Sequence, residues 1–254
     1  MSGSVIVGYD GSEGSAHALQ GAAQAAKDRG RTLEVLTTWT MPAADLGIGA
    51  PGSLQEELVE ELRGEARATN DQGVQIAADM GVNAVGEIVV GRTAAALVKR
   101  SDGDELAVVG RHGSGGLTGV LLGSVSRQVA THARCSTVVV RPSAKGADGI
   151  VVGVDGSPHS LKALEWAFEQ ASFSHEPLHV LHSWEIPPTW SMVEVPSYEP
   201  EVLIRDYGNA ELRDTSEAMA GFRENFPDVK VRQEVVKGSP VKALVKASEG
   251  AVLL

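Results

Sequence analysis

Short runs rich in β-branched residues recur along the chain and alternate with amphipathic stretches. Five such runs lie in its first half: Val5–Tyr9, Leu33–Trp39, Glu87–Gly91, Leu106–Gly110 and Ser136–Val140. They are largely apolar on both faces, a pattern typical of buried parallel strands. Strands that alternate with helices predict an α/β fold, with a parallel five-stranded sheet flanked by helices.

Capping residues indicate where the helices begin. The first helix is predicted over Ser15–Arg29, and its counterpart in the second half opens with Ser157-Pro158, a side-chain cap followed by proline at the first helical position. The second helix is predicted to start at the capping box Ser53-x-x-Glu56 and to run through Gly73.

The chain repeats itself. A shift of 145 residues, from Gly8 to Gly153, superposes residues 4–42 on residues 149–187 without a gap, and a shift of 147 superposes Ala95–Ser101 on Lys242–Ser248. A period of this length indicates two whole domains in tandem rather than solenoid units. We predict domains at 1–142 and 149–254, joined by the polar linker Arg141–Gly149.

Composition excludes several classes of protein. With 43% hydrophobic and 22% charged residues in 254, the chain is able to bury a core. Its net charge of −11 argues against nucleic acid as a partner. It contains no run of roughly 18 apolar residues, so we expect no membrane span and a cytoplasmic protein. The single cysteine, Cys135, indicates neither a disulfide nor a metal site.

A glycine pattern follows the fourth predicted strand. Gly110, Gly113 and Gly123-Ser124 fit G-x2-G-x9-G-[ST]. Glycines let backbone amides approach oxyanions and allow positive φ, and a helix that begins near Ser124 would direct its unpaired amides at the same anion. A Walker A loop is excluded because no lysine lies between Lys99 and Lys145. The alternative is an ordinary glycine-rich surface loop.

A strand that ends in Asp-Gly-Ser, this glycine pattern and a closing β-branched strand together resemble the universal stress protein family, in the ATP-binding tandem form found in actinobacteria. The resemblance implies two Rossmann-like domains and ATP as the ligand, with Mg²⁺. It places Asp10 and Gly11 beside the nucleoside, and the alternative role of Asp10 is an N-terminal helix cap. The residues of the first domain implied or suggested as binding are Asp10, Gly11, Thr38, Val89, Val90, Gly91, Val109, Gly110, Arg111, Gly113, Ser114, Gly123, Ser124, Val125 and Ser126.

The second copy keeps only part of this set. Asp155, Ser183 and Gly238 match Asp10, Thr38 and Gly91, but the sequence stops at Leu254, in the counterpart of the fourth strand. We therefore expect a nucleoside wall without a phosphate cradle in the second domain, whose copy is incomplete at the C-terminus. We also expect the natural chain to continue.

No residue stands out as catalytic, and we expect a nucleotide-dependent regulator of stress response or growth, with slow ATP hydrolysis at most. One alternative is a hydrolase that uses His112 or Asp10. Another is a nucleotide-free scaffold that dimerises. The resemblance also implies a homodimer or higher homo-oligomer that pairs through Ser136–Val140, an apolar run at a sheet edge.

Overall fold

The chain forms two compact units in a computed structural model that describes residues 3–41, 52–103, 106–113, 122–141, 146–185 and 200–254. The units are Met1–Pro142 and Ser143–Leu254, so the division falls inside the predicted linker. We refer to them as domain 1 and domain 2.

Domain 1 contains a parallel five-stranded sheet in the order β3-β2-β1-β4-β5. The predicted α/β class is confirmed, and the third strand begins three residues earlier than the sequence pattern predicts. The strands are β1 (Val5–Gly8), β2 (Leu33–Trp39), β3 (Ala84–Val90), β4 (Leu106–Gly110) and β5 (Ser136–Val140).

Four helices separate the strands of domain 1: α1 (Glu13–Arg29), α2 (Gly52–Asp79), α3 (Thr93–Arg100) and α4 (Ser124–His132). Helix α2 runs past Gly73, where the sequence pattern ends it. A Cβ on Gly73 would lie 2.8 Å from the Tyr9 ring and 3.0 Å from Val35. Gly73 therefore lets the helix lie close to the sheet.

The core of domain 1 is built around the two central strands. Val5, Ile6 and Val7 of β1 have no exposed surface, and Ala107 of β4 is equally buried. Helix α1 packs on this sheet through alanines and Leu19, whose small average size brings the helix axis near the strands. Complete burial of β1 agrees with helices on both faces of a parallel sheet.

A buried amide ties α2 to the sheet. The Nδ2 of Asn70 donates to the carbonyl oxygen of Val35 at 2.8 Å, and it also lies 3.1 Å from Thr37 Oγ1 and 3.2 Å from the Glu87 oxygen. Asn70 is 2% exposed, so these contacts replace its hydration. They fix α2 against the carboxyl half of β2, which leads to the candidate site.

Domain 2 repeats the first half of this architecture. Its described strands β6 (Ile150–Val154), β7 (Leu178–Trp184) and β8 (Val231–Lys237) form a three-stranded parallel sheet in the order β6-β7-β8. Leu253 forms a parallel bridge with Ile150, at the position that β4 occupies beside β1. The smaller sheet agrees with the predicted incomplete second copy.

The helices of domain 2 are α5 (Pro158–Ser174), α6 (Pro200–Asn225) and α7 (Pro240–Ser248). The predicted cap is confirmed, because Ser157 Oγ accepts from the Ser160 amide and Pro158 lies in the first turn. Phe168 of α5 stacks on Phe222 and Phe226 from the far end of α6 and the turn after it. Across the described residues, no helix is both long and apolar enough to cross a bilayer.

We expect Asn70→Leu to destabilise domain 1 by about 1–3 kcal/mol, because the bond to Val35 is lost while the neighbouring polar atoms stay buried. Urea unfolding followed by tryptophan fluorescence measures this change. The matched control is Gln75→Ala, whose amide bonds only Asp79 on the exposed face of the same helix. If the two variants have equal midpoints, Asn70 does not hold α2 in place.

Candidate functional site

The candidate site lies where the strand order of the domain 1 sheet reverses. β1 and β4 are adjacent and parallel, with Val5 opposite Leu106, while the chain continues from β1 outward to β2 on one side and from β4 to β5 on the other. Loops that leave two such strands diverge and open a crevice at the carboxyl ends. A cleft of about 220 Å³ lies there, between the start of α1 and the start of α4.

Close backbone approach shapes the floor of this cleft. A Cβ on Gly110 would lie 2.4 Å from the Gly14 carbonyl oxygen, and a Cβ on Gly14 would lie 2.1 Å from the His112 carbonyl oxygen. Both distances are shorter than any real contact, so only glycine fits at either position. The end of β4 and the first turn of α1 are therefore in direct main-chain contact.

Gly113 brings the loop after β4 against the end of β1. A Cβ there would lie 2.8 Å from Oδ2 of Asp10. Gly110, Gly113 and Gly123 do not have positive φ angles. These glycines therefore provide room for close contacts, whereas the sequence pattern had suggested unusual backbone angles as well.

The start of α4 closes the other side of the loop. Gly123 is the N-cap, and no side chain caps the helix. The Gly123 amide donates to the Arg111 carbonyl oxygen at 2.8 Å, and the Ser126 hydroxyl lies 3.0 Å from the Gly123 oxygen and 3.2 Å from that of Arg111. Ser126 thus joins the two ends of the loop, while the first amides of α4 have no acceptor within the helix.

Asp10 and two serines form a hydrogen-bonded turn between β1 and α1. Asp10 Oδ1 accepts from the Ser12 amide at 3.1 Å and from its hydroxyl at 2.6 Å, and Ser12 Oγ accepts from the Ser15 amide at 3.2 Å. Ser12 rather than Asp10 is therefore the cap of α1. Gly11 adopts φ of 76°, which a side chain disfavours, so it serves this turn.

The inner wall of the cleft combines hydroxyls with apolar side chains. Thr38 Oγ1 lies 2.6 Å from Oγ1 of Thr93, so these two hydroxyls bond each other. Leu97 is fully buried beneath them. Burial, assisted by the neighbouring Asp10 carboxylate, raises the pKa of Tyr9, which keeps its ring neutral in this wall.

The structure brings together six of the residues that the sequence singled out as binding. Those that line the cleft are Asp10, Thr38, Val109, Gly110, Gly113 and Val125. Sequence reasoning missed Gly8, Tyr9, Ser15, Thr93 and Leu97, and gave His112 a role in the hydrolase alternative. Ser15 carried a signal, since it is identical to Ser160 in the second copy.

The other candidates of domain 1 lie around the cleft or away from it. Val89 packs into the core beside Leu97, and Val90 is 65% exposed at the end of the edge strand. Gly11, Gly91, Arg111, Gly123, Ser124 and Ser126 also lie outside the residues that line the cleft. Ser114 lies outside the described residues.

Domain 2 keeps the hydrogen-bonded turn of Asp10, but the residue that corresponds to Thr38 makes a different hydrogen bond. Asp155 Oδ1 accepts from the Ser157 amide at 2.9 Å, as Asp10 does from Ser12. Ser183 donates its hydroxyl to the Gly238 carbonyl oxygen, whereas Thr38 bonds the hydroxyl of Thr93. Hydrogen bonds from Ser157, by side chain and by backbone, lower the pKa of Asp155 to about 2.

No metal site is built from protein side chains alone in the part of the chain that the structure describes, where no three acidic, histidine or cysteine side chains cluster. Asp10 is the carboxylate that lines the cleft among these residues. Any cation at this site would therefore share its coordination with a ligand.

A model of the universal stress protein family matches residues 1–141 and again residues 147–254. The chain belongs to this family. The two matches coincide with the two copies seen in the sequence.

Similar proteins agree with this assignment. A universal stress protein of Mycobacterium tuberculosis is 32% identical over 262 residues, covering 98% of this chain and 85% of that protein. One from Mycolicibacterium smegmatis is 30% identical over 264 residues, again covering 98% and 85%. The crystal structure of a universal stress protein from Archaeoglobus fulgidus superposes with a TM-score of 0.69 at 19% identity, covering 97% and 82%, which supports the fold.

We expect the Asp155 carboxyl to titrate near pH 2 in the folded protein, and Ser157→Ala to move that pKa toward the ordinary 3.8. Because the folded pKa is the lower one, the ionised carboxylate adds stability above pH 3.8, and this contribution is lost as the pH falls toward 2. Carboxyl-detected NMR measures the shift. Ser172→Ala, which removes only a surface bond to Asp228, should leave Asp155 unchanged. Equal values in the parent and Ser157→Ala would refute this role of Ser157.

Proposed function

We propose that domain 1 binds ATP with Mg²⁺ and that the protein is a nucleotide-dependent regulator of stress response or growth. The observation that carries the proposal is the main-chain cleft between β1, β4 and α4, in which Gly110, Gly113 and the uncapped start of α4 surround one concave space. A helix start without a side-chain cap leaves amide donors for an anion.

The phosphate end of the site would lie between Gly113 and α4. Asp10 is within van der Waals reach of Gly113, so its negative charge faces the same space. A carboxylate beside a polyphosphate is repulsive unless a cation lies between them, and carboxylate and phosphate oxygens are the ligands that Mg²⁺ prefers. This arrangement supports Mg²⁺ as part of the ligand rather than as a resident ion.

The nucleoside end would lie against the apolar wall. Leu97, Val109 and Val125 line this wall with apolar side chains, against which a flat base would lie, and Thr38 lines the cleft at the end of β2. The Thr38 hydroxyl is already bonded to Thr93, so recognition of the base falls to the backbone. A volume of about 220 Å³ is below the roughly 300–1,000 Å³ of typical ligand sites, so the triphosphate would extend toward solvent.

Pairing of two copies through β5 stays a prediction. β5 is an edge strand whose described sheet partner is β4. A free edge of this kind is a template for another strand. Sedimentation velocity with and without ATP measures whether the protein dimerises and whether nucleotide changes the equilibrium.

Gly113→Val should weaken ATP binding at least tenfold, about 1.4 kcal/mol, because its side chain enters the cleft and displaces the Asp10 carboxylate. Only the carboxylate end of the Asp10 side chain has to move to make room for the valine, so we expect the variant to fold. Isothermal titration calorimetry with Mg²⁺ measures the affinity, and circular dichroism checks the fold. Gly64→Ala, which adds a Cβ to open space on α2, is the matched control. Unchanged affinity in a folded Gly113→Val protein would overturn the proposed site.

Slow ATP hydrolysis is a second candidate function, favoured by the position of His112 in the same cleft as Asp10. If the imidazole acts as a base, His112→Ala should abolish phosphate release while ATP still binds. His132→Ala, at the far end of α4, is the control. If the parent protein releases phosphate no faster than the background rate, slow ATP hydrolysis is not a function of this protein.

A further inference from the structure

A second cleft lies in domain 2, between β7, β8 and α7, and one end of it reaches Gly238, whose carbonyl oxygen accepts from Ser183. Its floor is formed by alternate residues of β7 and β8, and its wall by one face of α7. The cleft has a volume of about 590 Å³. The ionisable residues in its lining are His179, Arg232, Glu234, Lys237, Lys242 and Lys246.

The equivalent place in domain 1 is filled by an ion-paired arginine. Arg100 on α3 reaches Glu34 of β2 at 2.5 Å and Glu87 of β3 at 3.0 Å. The side chain of Glu34 is only 14% exposed, so the arginine covers it. The three side chains form an ion-paired cluster at this place.

The repeat register shows what changed in domain 2. Arg100 corresponds to Ala247 and Glu34 to His179, whereas Glu87 is retained as Glu234. Replacing a guanidinium by a methyl group removes the side chain that fills the space in domain 1. The cleft therefore results from specific differences between two copies of one fold.

The charge of this place changes as well. Lys242 and Lys237 stand where domain 1 has Ala95 and Val90, and Arg232 stands where it has Val85. Four cationic side chains then face one carboxylate in the lining of the cleft. The protein as a whole carries a net charge of −11, so the sign of this patch is opposite to that of the whole chain.

The single carboxylate is already engaged. Glu234 Oε2 lies 3.0 Å from Nε2 of His179 and 3.1 Å from the Arg232 guanidinium. Within the described parts of the chain, Lys237, Lys242 and Lys246 have no ion pair. Lys242 and Lys246 are four residues apart on α7, a spacing at which like charges destabilise a helix. A bound anion would relieve this repulsion.

We propose that this cleft is a second ligand site, which binds a small organic phosphate. Lysines on the wall supply point charges for the phosphate group. Leu181, Val236 and Ala247 supply apolar surface for the body of the molecule. The volume falls within the roughly 300–1,000 Å³ of small-molecule sites. The proposal is independent of ATP binding in domain 1.

Phenyl phosphate is a suitable probe, because it combines a dianion with a flat apolar body. In ¹H–¹⁵N spectra of the full chain, we expect saturable shifts of amides in β8 and the first half of α7. Benzyl alcohol, which is neutral, should cause none there, and inorganic phosphate should bind the same residues more weakly. The affinity for phenyl phosphate should fall as salt is added.

Two variants test the geometry. Lys242→Ala combined with Lys246→Ala should weaken binding at least tenfold. Ala247→Arg combined with His179→Glu restores the domain 1 arrangement and should weaken binding at least tenfold, because the guanidinium enters the cleft and pairs with the two carboxylates. The matched controls are Lys99→Ala and Arg100→Ala in domain 1, which should leave these shifts unchanged.

The readout is specific to individual residues, so failure of the nucleotide proposal would alter only signals near Gly113 and Gly123. The second-site proposal is overturned if phenyl phosphate causes no saturable shift in β8 and α7. It is equally overturned if a folded protein with both Ala247→Arg and His179→Glu binds the probe as tightly as the parent.

Discussion

The contact between the first turn of α1 and the exit of β4 determines the geometry of domain 1. Gly14, Gly110 and the His112 carbonyl meet main chain to main chain, without room for a single methyl group. This contact turns the loop after β4 back toward β1 and so places Gly113 beside Asp10. Hydrogen bonds from Gly123 and Ser126 to the Arg111 carbonyl then set the start of α4 relative to the same loop. These close approaches hold the loops in positions that leave the carboxyl ends of β1 and β4 uncovered, and this uncovered space is the cleft.

The sequence predicted the architecture well because strand and helix signals are local. Buried parallel strands read as continuous β-branched runs, and the duplication made the elements from β1 to α3 visible twice. The course of α2 past Gly73 was not predictable. A glycine is needed there because the Tyr9 ring, which is distant in sequence, leaves no room for a side chain. The same holds for the cleft wall. Thr93 and Leu97 reach it because α3 packs beside β1 and β2, a contact that no local pattern announces.

The glycine spacing located the loop but not the physical role of each residue. It suggested freedom of φ, whereas the structure shows a need for space at Gly110 and Gly113. It suggested that the Ser126 hydroxyl faces a ligand, whereas that hydroxyl lies within reach of two carbonyl oxygens at the base of the loop. Spacing in a sequence records that a position is constrained. Only the three-dimensional neighbours reveal which physical demand constrains it.

Duplication gave the two domains a common frame on which different side chains diverged. The Asp-Gly-Ser turn is the same in both, down to the serine that caps the next helix. By contrast, the face that Arg100 fills in domain 1 is open and cationic in domain 2. The two glycines where the end of β4 meets α1 also limit which substitutions the chain can tolerate. Their contribution is the absence of atoms, so almost any missense change at Gly14 or Gly110 is harmful.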